Sequence, residues 1–270
     1  MVIGKIIITV LITMKIRKVR IRTKNFTAKG LRNEIFCPGH AVVRLGSTTK
    51  TESIFPTIYG RYPVIEINSV SAVQNSRDKL KMKKCFDNLK VRQAIWYENL
   101  TNPKKLELPI IVKLRTGFKG HGMRLINTHE ELTSFIKSHN MSDYIVEHFY
   151  NYAREYRLHC TQDNCFMAWR KLRKEGAKER WFFNSSNCNW VNPNHEMFNK
   201  PLNWDIIEKE CIKAMRATGL DLGAVDVRVQ SEGKKNPDFI ICEVNSAPAL
   251  GDRGVEVYKK VIKELIHKKI

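Results

Sequence analysis

The stretch that most constrains this chain is Gly219-Leu-Asp-Leu-Gly-Ala-Val-Asp226, followed after a charged turn by Phe239-Ile-Ile-Cys-Glu-Val-Asn245. An extended strand alternates its side chains between two faces. In the first segment that rule puts Asp226 and Arg228 on one face and Val225, Val227 and Val229 on the other. In the second, Glu243 and Asn245 share a face, with Ile240, Cys242 and Val244 opposite. Ser231 to Pro237 between them is rich in Gly, Asn, Pro and Lys, which reads as a loose connection between antiparallel strands. Such a pair gathers three oxygen-bearing side chains, Asp226, Glu243 and Asn245, on one patch of sheet. Hard oxygen ligands with room for water are what Mg²⁺ takes when it also holds phosphates. A solvent-facing sheet shows the same alternation, so the pattern alone leaves both readings open.

The rest of the chain decides how such a patch is surrounded. With 270 residues, 43% of them hydrophobic, it can bury a core in one large domain or in two or three lobes. The formal net charge of +20 calls for an anionic partner. Nucleotide, acidic peptide, nucleic acid and membrane surface all satisfy it, and charge alone selects none. The seven cysteines form no CxxC pair, which fits a reduced, cytoplasmic protein better than a disulfide-stapled one. His159, Cys160, Cys165, Cys188 and His195 match no standard zinc spacing. Ile6 to Ile12 is an apolar run between Lys5 and Lys15; it is too short to span a bilayer and reads as a strand or a ragged terminus.

From Ala41 the pattern becomes orderly. Ala41 to Leu45 and Pro63 to Ile67 read as strands around a Gly46-Ser-Thr-Thr49 turn, a small βαβ-like lobe whose Arg44, Gly46 and Ser47 suit either ligand contact or a plain turn. A helix is expected from about Asn75 to Asn88, with Lys79 near its start. Pro109-Ile-Ile-Val-Lys113 is a strand that delivers Lys113 at its end, and Gly117, Gly120 and Gly122 follow. Three glycines let a loop bring backbone N–H groups close to anionic oxygens. The lysine precedes the glycines, so this is neither a Walker A loop nor a Rossmann fingerprint. Thr128-His-Glu-Glu131 is a capping box opening a helix through Leu132, Phe135 and Ile136.

Asp143 to Phe149 then reads as a strand leaving one lobe and Glu155 to Cys160 as a strand entering the next. Glu147, His148 and Phe149 lie where a linker presents main-chain groups to an adenine edge. Arg157 and Lys171, on successive strands, are placed to neutralise phosphate or carboxylate. Phe166 to Trp169 reads as sheet core, and Trp181 to Trp190 mixes aromatics with amides. An amphipathic helix over Asp205 to Thr218 stops at Gly219, and a final helix carries Val255, Tyr258, Ile262 and Leu265.

In combination, Lys79 in Asp-Lys-Leu, Val-Lys113-Leu with Gly117, Gly120 and Gly122, Val-Glu147-His-Phe, Gly-Leu-Asp with Ala-Val-Asp226, and Glu243-Val-Asn245-Ser-Ala-Pro resemble the ATP-grasp superfamily. The resemblance runs in the family's order from about Ala41 to Lys260 and is nearest to the ribosomal-protein glutamate ligase type and its phage-encoded relatives. It implies an α+β (α/β) ATP-grasp fold, two α+β lobes clasping ATP behind a reduced N-terminal pre-ATP-grasp lobe. The corresponding organisation is an N-terminal extension (1–40), a short pre-ATP-grasp lobe (41–75), a small lobe with a glycine-rich lid (76–150) and a C-terminal lobe with the metal site (151–270). By the same resemblance Lys79 and Lys113 hold ATP phosphates, Glu147 to Phe149 bind adenine, and Asp226, Glu243 and Asn245 ligate Mg²⁺ or Mn²⁺. Arg157 faces the reacting group, Glu155 lies near the ribose or acceptor, and Lys171 lies near the phosphates. Two features depart from the family pattern: the preceding lobe is short, and the loop reads Gly-His121-Gly.

The implied activity is an ADP-forming carboxylate–amine ligase acting through an acyl phosphate, in the cytoplasm (of a host, for a phage-encoded chain). Its expected partners are ATP, a carboxylate and an amine acceptor, an acidic protein or peptide among the candidates, with no membrane. An inositol-phosphate-kinase-like enzyme on the same fold, or a basic nucleic-acid-binding protein with a vestigial ATP site, are the other classes that the charge suits.

Overall fold

The structure, a computed structural model, describes residues 15–24, 26–33, 35–98, 100, 103–117, 120–177, 181–184, 187–231 and 236–270. The strand read over Ile6 to Ile12 lies outside them. The first elements are β1 (Ile16–Lys18), β2 (Arg20–Thr23), a 3-10 segment (Phe26–Asn33), β3 (Phe36–Pro38), β4 (His40–Leu45), α1 (Thr51–Ile54), β5 (Val64–Ile67) and α2 (Val70–Arg77). Next come α3 (Lys79–Asn88), β6 (Trp96–Tyr97), β7 (Ile110–Leu114), β8 (Arg124–Ile126), α4 (His129–Ser138) and β9 (Tyr144–His148). The chain continues through β10 (Arg154–Thr161), β11 (Cys165–Arg173), β12 (Cys188–Val191), α5 (Trp204–Thr218), β13 (Leu222–Val229), β14 (Phe239–Asn245) and α6 (Gly251–Lys269). No helix among the described residues is long and apolar enough to cross a membrane.

The elements fall into two compact units. The first comprises Met1–Gln74, Gly219–Gly223 and Ser246–Ile270. Its centre is the parallel sheet β2-β4-β5, and β1 pairs antiparallel with β3. The βαβ unit expected from the sequence is β4-α1-β5. Arg44 is not available to a ligand: it is wholly buried, its Nε donates to the Thr49 carbonyl at 2.8 Å, and its Nη1 pairs with Glu66 at 2.9 Å. Gly46 has φ +77°, and a Cβ there would lie 2.7 Å from the Ala247 Cβ, so the turn is a structural one that needs glycine. Helix α6 buries Val255, Tyr258, Ile262 and Ile266.

The second unit comprises Asn75–Thr218 and Ala224–Asn245. Its smaller sheet, β6-β9-β7-β8, is antiparallel. Ile110, Val112, Ile126 and Val146 from that sheet pack with Leu132 and Phe135 of α4, which anchors β7 against that helix. The capping box forms, with Thr128 Oγ1 accepting from the Glu131 N–H at 3.2 Å, while the Glu131 carboxylate takes the Asn127 N–H at 2.8 Å. The larger sheet, β12-β11-β10-β13-β14, is antiparallel throughout its described pairings. Helix α5 covers its apolar side with Ile207, Cys211, Ala214 and Met215, and Gly219 at φ +77° ends that helix.

Two expectations are corrected. The helix read as continuous from Asn75 to Asn88 is broken at Asp78, whose backbone is extended and whose carboxylate caps α3 through the Leu80 and Lys81 N–H groups. A short acid that bonds neighbouring backbone N–H groups stops one helix and starts the next. Phe166 to Trp169 is not sheet core but half-buried. Strand β12 pairs with Arg170 to Arg173, and among the described residues no strand pairs with the start of β11 on that edge. There Cys165 to Ala168 line a cavity of about 250 Å³ with Phe198, Lys200 and Trp204.

Asp78 also takes Arg115 at 2.7 Å, and the Lys79 N–H donates to the Arg115 carbonyl at 2.9 Å. One side chain thus fixes the start of α3 against the end of β7. Asp78→Ala is expected to destabilise the protein by about 1–2 kcal/mol, the range for a lost cap, measured by urea denaturation.

Candidate active site

Alternation along β10 sends Tyr156, Leu158 and Cys160 into the core against α5, and Glu155 and Arg157 to the opposite face. Register then assembles a polar cluster. Glu155 stands across from Lys171, and Lys171 across from Trp190. Asp226 on β13 receives Arg157 through both guanidinium contacts, Nε to Oδ1 at 2.6 Å and Nη2 to Oδ2 at 2.7 Å. Lys171 donates to Asp226 Oδ2 at 3.1 Å and also to Glu155 Oε1. Arg228 donates to Glu155 Oε2 at 3.0 Å and to the Trp181 carbonyl at 2.8 Å. The Arg157 guanidinium and the Lys171 ammonium both lie over the Trp190 ring, at 4.9 and 5.1 Å from its centroid.

Asp226 is buried, which removes the solvent-face reading for that residue. Burial alone would raise its pKa, but Arg157 and Lys171 hold it well below the usual carboxylate range. Burial likewise works against the charges on Arg157 and Lys171, and their acidic neighbours overcome it, so both pKa values are raised.

A second cluster belongs to the smaller sheet. Glu147 on β9 is bracketed by Lys113 at 2.5 Å and Lys83 at 3.0 Å. Burial pushes its pKa up, but the two ammonium groups bring it down to about 2. Lys79 donates to the Gly117 carbonyl at 2.6 Å. Burial lowers the Lys79 pKa, Glu243 opposes this, and the charge of Lys113 adds to it. Gly117 and Gly122 are required by space: a Cβ on Gly117 would meet the His121 carbonyl oxygen at 2.9 Å, and one on Gly122 would meet Leu114 Cδ1 at 2.3 Å. Gly120, at φ +80°, lies against Phe182, so the aromatic segment 181–184 borders the glycine loop on one side and Arg228 on the other.

The two clusters meet at Glu243, which contributes to the pKa values of Lys79, Lys113 and Arg157 alike. Glu243 stands across from Asp226 and Asn245 across from Ala224, and the Asn245 amide donates to Glu243 Oε1 at 3.1 Å. The strands therefore bring Asp226, Glu243 and Asn245 together. Two carboxylates and an amide oxygen suit a hard divalent cation, although both Asp226 oxygens also accept bonds from Arg157. Among the described residues no group of three or more His, Cys, Asp and Glu side chains forms a metal cluster, and this set counts only two such acids.

Three placements were not legible beforehand. Lys83 sits in a lysine-rich helix, yet its side chain is fully buried on Glu147. Cys242 does not lie with Ile240 and Val244, because the register shifts between Asp226 and Val227, pairing Val227 with Ile241 and leaving Cys242 as the extra residue. A bulge of this kind re-aims a side chain. Burial pushes the Cys242 thiol up to about 12, and Glu155, Arg228, Lys113 and Glu147 all act on it. The His148 and Phe149 N–H groups, expected to face a ligand, donate instead to the Ile95 and Pro109 carbonyls at 2.8 and 3.0 Å. These two donors close the smaller sheet.

A lysine-bearing antiparallel sheet with a glycine loop, a short linker, and a larger antiparallel sheet carrying paired acids define the ATP-grasp fold. A family model described as RimK-like ATP-grasp domain matches residues 88–268, and the chain belongs to that family. Similar solved structures include the D-alanine–D-alanine ligase of Bacillus anthracis, at 15% identity and a TM-score of 0.60 over 84% of this chain and 78% of that one. The D-alanyl-alanine synthetase A of Vibrio cholerae O1 biovar eltor has a TM-score of 0.58 at 15% identity, over 88% and 78%. A carboxyaminoimidazole ribonucleotide synthase of Aspergillus clavatus, complexed with ATP, has a TM-score of 0.54 at 12% identity, over 84% and 62%. At such identities the likeness is one of fold. No curated protein matches the chain.

The folded-state pKa of Glu147 lies below the ordinary 4.5, so its stabilisation is complete above about pH 4.5 and is lost as pH falls toward about 2. Glu147→Gln leaves two buried ammonium groups without their counter-charge. It is expected to cost about 3–5 kcal/mol at neutral pH, the gap to the parent closing across that acid range in urea denaturation.

Proposed function

We propose that the chain is an ATP-dependent, ADP-forming carboxylate–amine ligase that works through an acyl phosphate. Charge carries this reading. The two clusters that Glu243 links hold six cations, Lys79, Lys83, Lys113, Arg157, Lys171 and Arg228, against four carboxylates, Glu147, Glu155, Asp226 and Glu243. A surplus of two positive charges across these clusters suits a polyanionic triphosphate, and family membership supports ATP as its source.

In this reading Lys79 and Lys113 take the phosphates, and the Gly117–Gly122 loop covers them. Glu147 positions Lys113 through its carboxylate. Residues from His148 and Phe149 onward border the base, their contribution limited to groups other than the two N–H donors already bonded. Asp226, Glu243 and Asn245 would hold Mg²⁺ or Mn²⁺, which neutralises phosphate charge when bound with the nucleotide. A substrate carboxylate oxygen attacks the γ-phosphorus as the bond to the β-phosphate oxygen breaks, releasing ADP. Arg157, held by Asp226, offsets the charge on the transferred phosphoryl group. An amine then attacks the acyl carbon and inorganic phosphate leaves, giving an amide. Glu155 and Lys171 brace this wall of the site. No protein nucleophile takes part.

Incubation with ATP, Mg²⁺ and a panel of carboxylates and amines is expected to release ADP and phosphate only when both partners are supplied. Phosphate retained on an alcohol product would assign a kinase instead, and no turnover with any pair would favour a vestigial site. Glu243→Gln is expected to lower kcat by about 10²–10³-fold, the scale for losing one stabiliser of developing charge, with the urea midpoint unchanged.

Because the site is already over-positive, Mg²⁺ should bind weakly to the protein alone and tightly once nucleotide is present. Isothermal titration of Mg²⁺ with and without a non-hydrolysable ATP analogue measures that coupling. Equal Mg²⁺ affinity in both titrations would sink the metal assignment.

A further inference from the structure

The first unit carries a second concentration of positive charge, which the proposed ligase site does not use. From Lys15 to Asn33 the sequence holds eight cations and no acid. Lys15, Arg17, Lys18, Arg20, Arg22 and Lys24 are all exposed on or beside β1 and β2, while Val19 and Ile21 are buried. Arg20 and Arg22 therefore alternate with buried Ile21 on β2 and share its outward side, and exposed Lys18 ends the preceding strand β1. Residues two apart on a strand are separated by roughly 6.6 Å. A stacked nucleic-acid strand advances about 3.4 Å per phosphate, so Arg20 and Arg22, two apart on β2, come into step with every second phosphate, and Lys18 at the end of β1 extends the row of charge toward β3.

Aromatic rings lie beside the stripe. Phe36, 55% exposed, stands directly across from Lys18 in the β1–β3 pairing. Tyr62, 61% exposed, has its ring 6.5 Å from that of His40. His40 in turn feels the charges of Arg17 and Arg20, which, after burial, lower its pKa. An acidic peptide would satisfy the cations and leave the exposed rings without a partner. Unpaired bases stack on exposed rings while their phosphates track a cationic groove or strip. We infer that this face of the first unit binds single-stranded nucleic acid, with phosphates on Lys18, Arg20 and Arg22 and a base on Phe36.

The test is fluorescence anisotropy of the full chain with a fluorescein-labelled oligouridylate over a salt series. Lys18→Gln, Arg20→Gln and Arg22→Gln together are expected to reduce the slope of log affinity against log salt by about 2, at about 0.7 per cation. Phe36→Ala should weaken binding by roughly tenfold at every salt concentration with the slope unchanged. A charge-matched control, Lys260→Gln, Lys263→Gln and Lys268→Gln on α6, should leave binding near that of the parent. Equal losses in the two triple variants would overturn the inference. So would displacement by poly-L-glutamate as efficient as by unlabelled oligouridylate together with no effect of Phe36→Ala, which would assign the face to an acidic protein. ADP release should persist in the β1–β2 variant, so failure here is distinct from failure of the ligase reading.

Discussion

Two buried carboxylates, each held by two cations, organise the second unit: Asp226 between Arg157 and Lys171, and Glu147 between Lys113 and Lys83. Removing charges from water is costly, and a buried pair is tolerated only when its remaining hydrogen-bonding capacity is met. Here the capacity is shared. Lys171 also serves Glu155, and Glu155 also serves Arg228, so no member of that chain of charges can move without disturbing the next. Such networks contribute orientation more than net stability. Arg157 and Lys113 are consequently fixed in direction by Asp226 and Glu147.

The same two clusters hold six cations against four carboxylates, an imbalance that suits an anion. Donors already oriented in a site of low polarity need no reorganisation when an anion arrives. An anion that binds only the folded state also stabilises it. Glu243 occupies the pivot, since the charges of Lys79, Lys113 and Arg157 all sense it, and it is the acid of the group with no cation within ion-pair distance among the described residues. In the proposed reading it is the carboxylate of the four that would offer its charge to a metal.

How much of this was legible depended on the range of the signal. Lys113, the three glycines and the order of strands follow from local alternation and composition, and Asp226 opposite Glu243 follows from period two on neighbouring strands. Lys83 was illegible because three other lysines surround it in Lys79-Leu-Lys-Met-Lys-Lys, and its burial is decided by Glu147 on a different element. Cys242 was misassigned because a single register shift overturns a parity argument, and nothing in Ile-Cys-Glu announces a bulge. Asp78 carried a readable signal, an acid followed by a fresh amphipathic run, but the helical pattern on both sides masked it. The N–H groups of His148 and Phe149 depended on strand partners at Ile95 and Pro109, which no local pattern identifies.

The net charge of +20 separates into physically different parts. Cations of the second unit's clusters are buried or half-buried, and all but Lys79 sit in ion pairs, so their fields act at short range and are little screened by salt. The β1–β2 cations are exposed, where counterions screen each charge beyond about a Debye length and where release of condensed counterions, not close pairing, drives association. A ligand held by the first set gains from fixed geometry and loses little on raising ionic strength; one held by the second gains from the number of charges met at once and loses steeply. A single figure for net charge cannot distinguish the two. Burial does, because it determines whether a cation meets one fixed carboxylate, as Lys83 does, or lies open to the changing atmosphere around a flexible polyanion, as exposed Arg20 does.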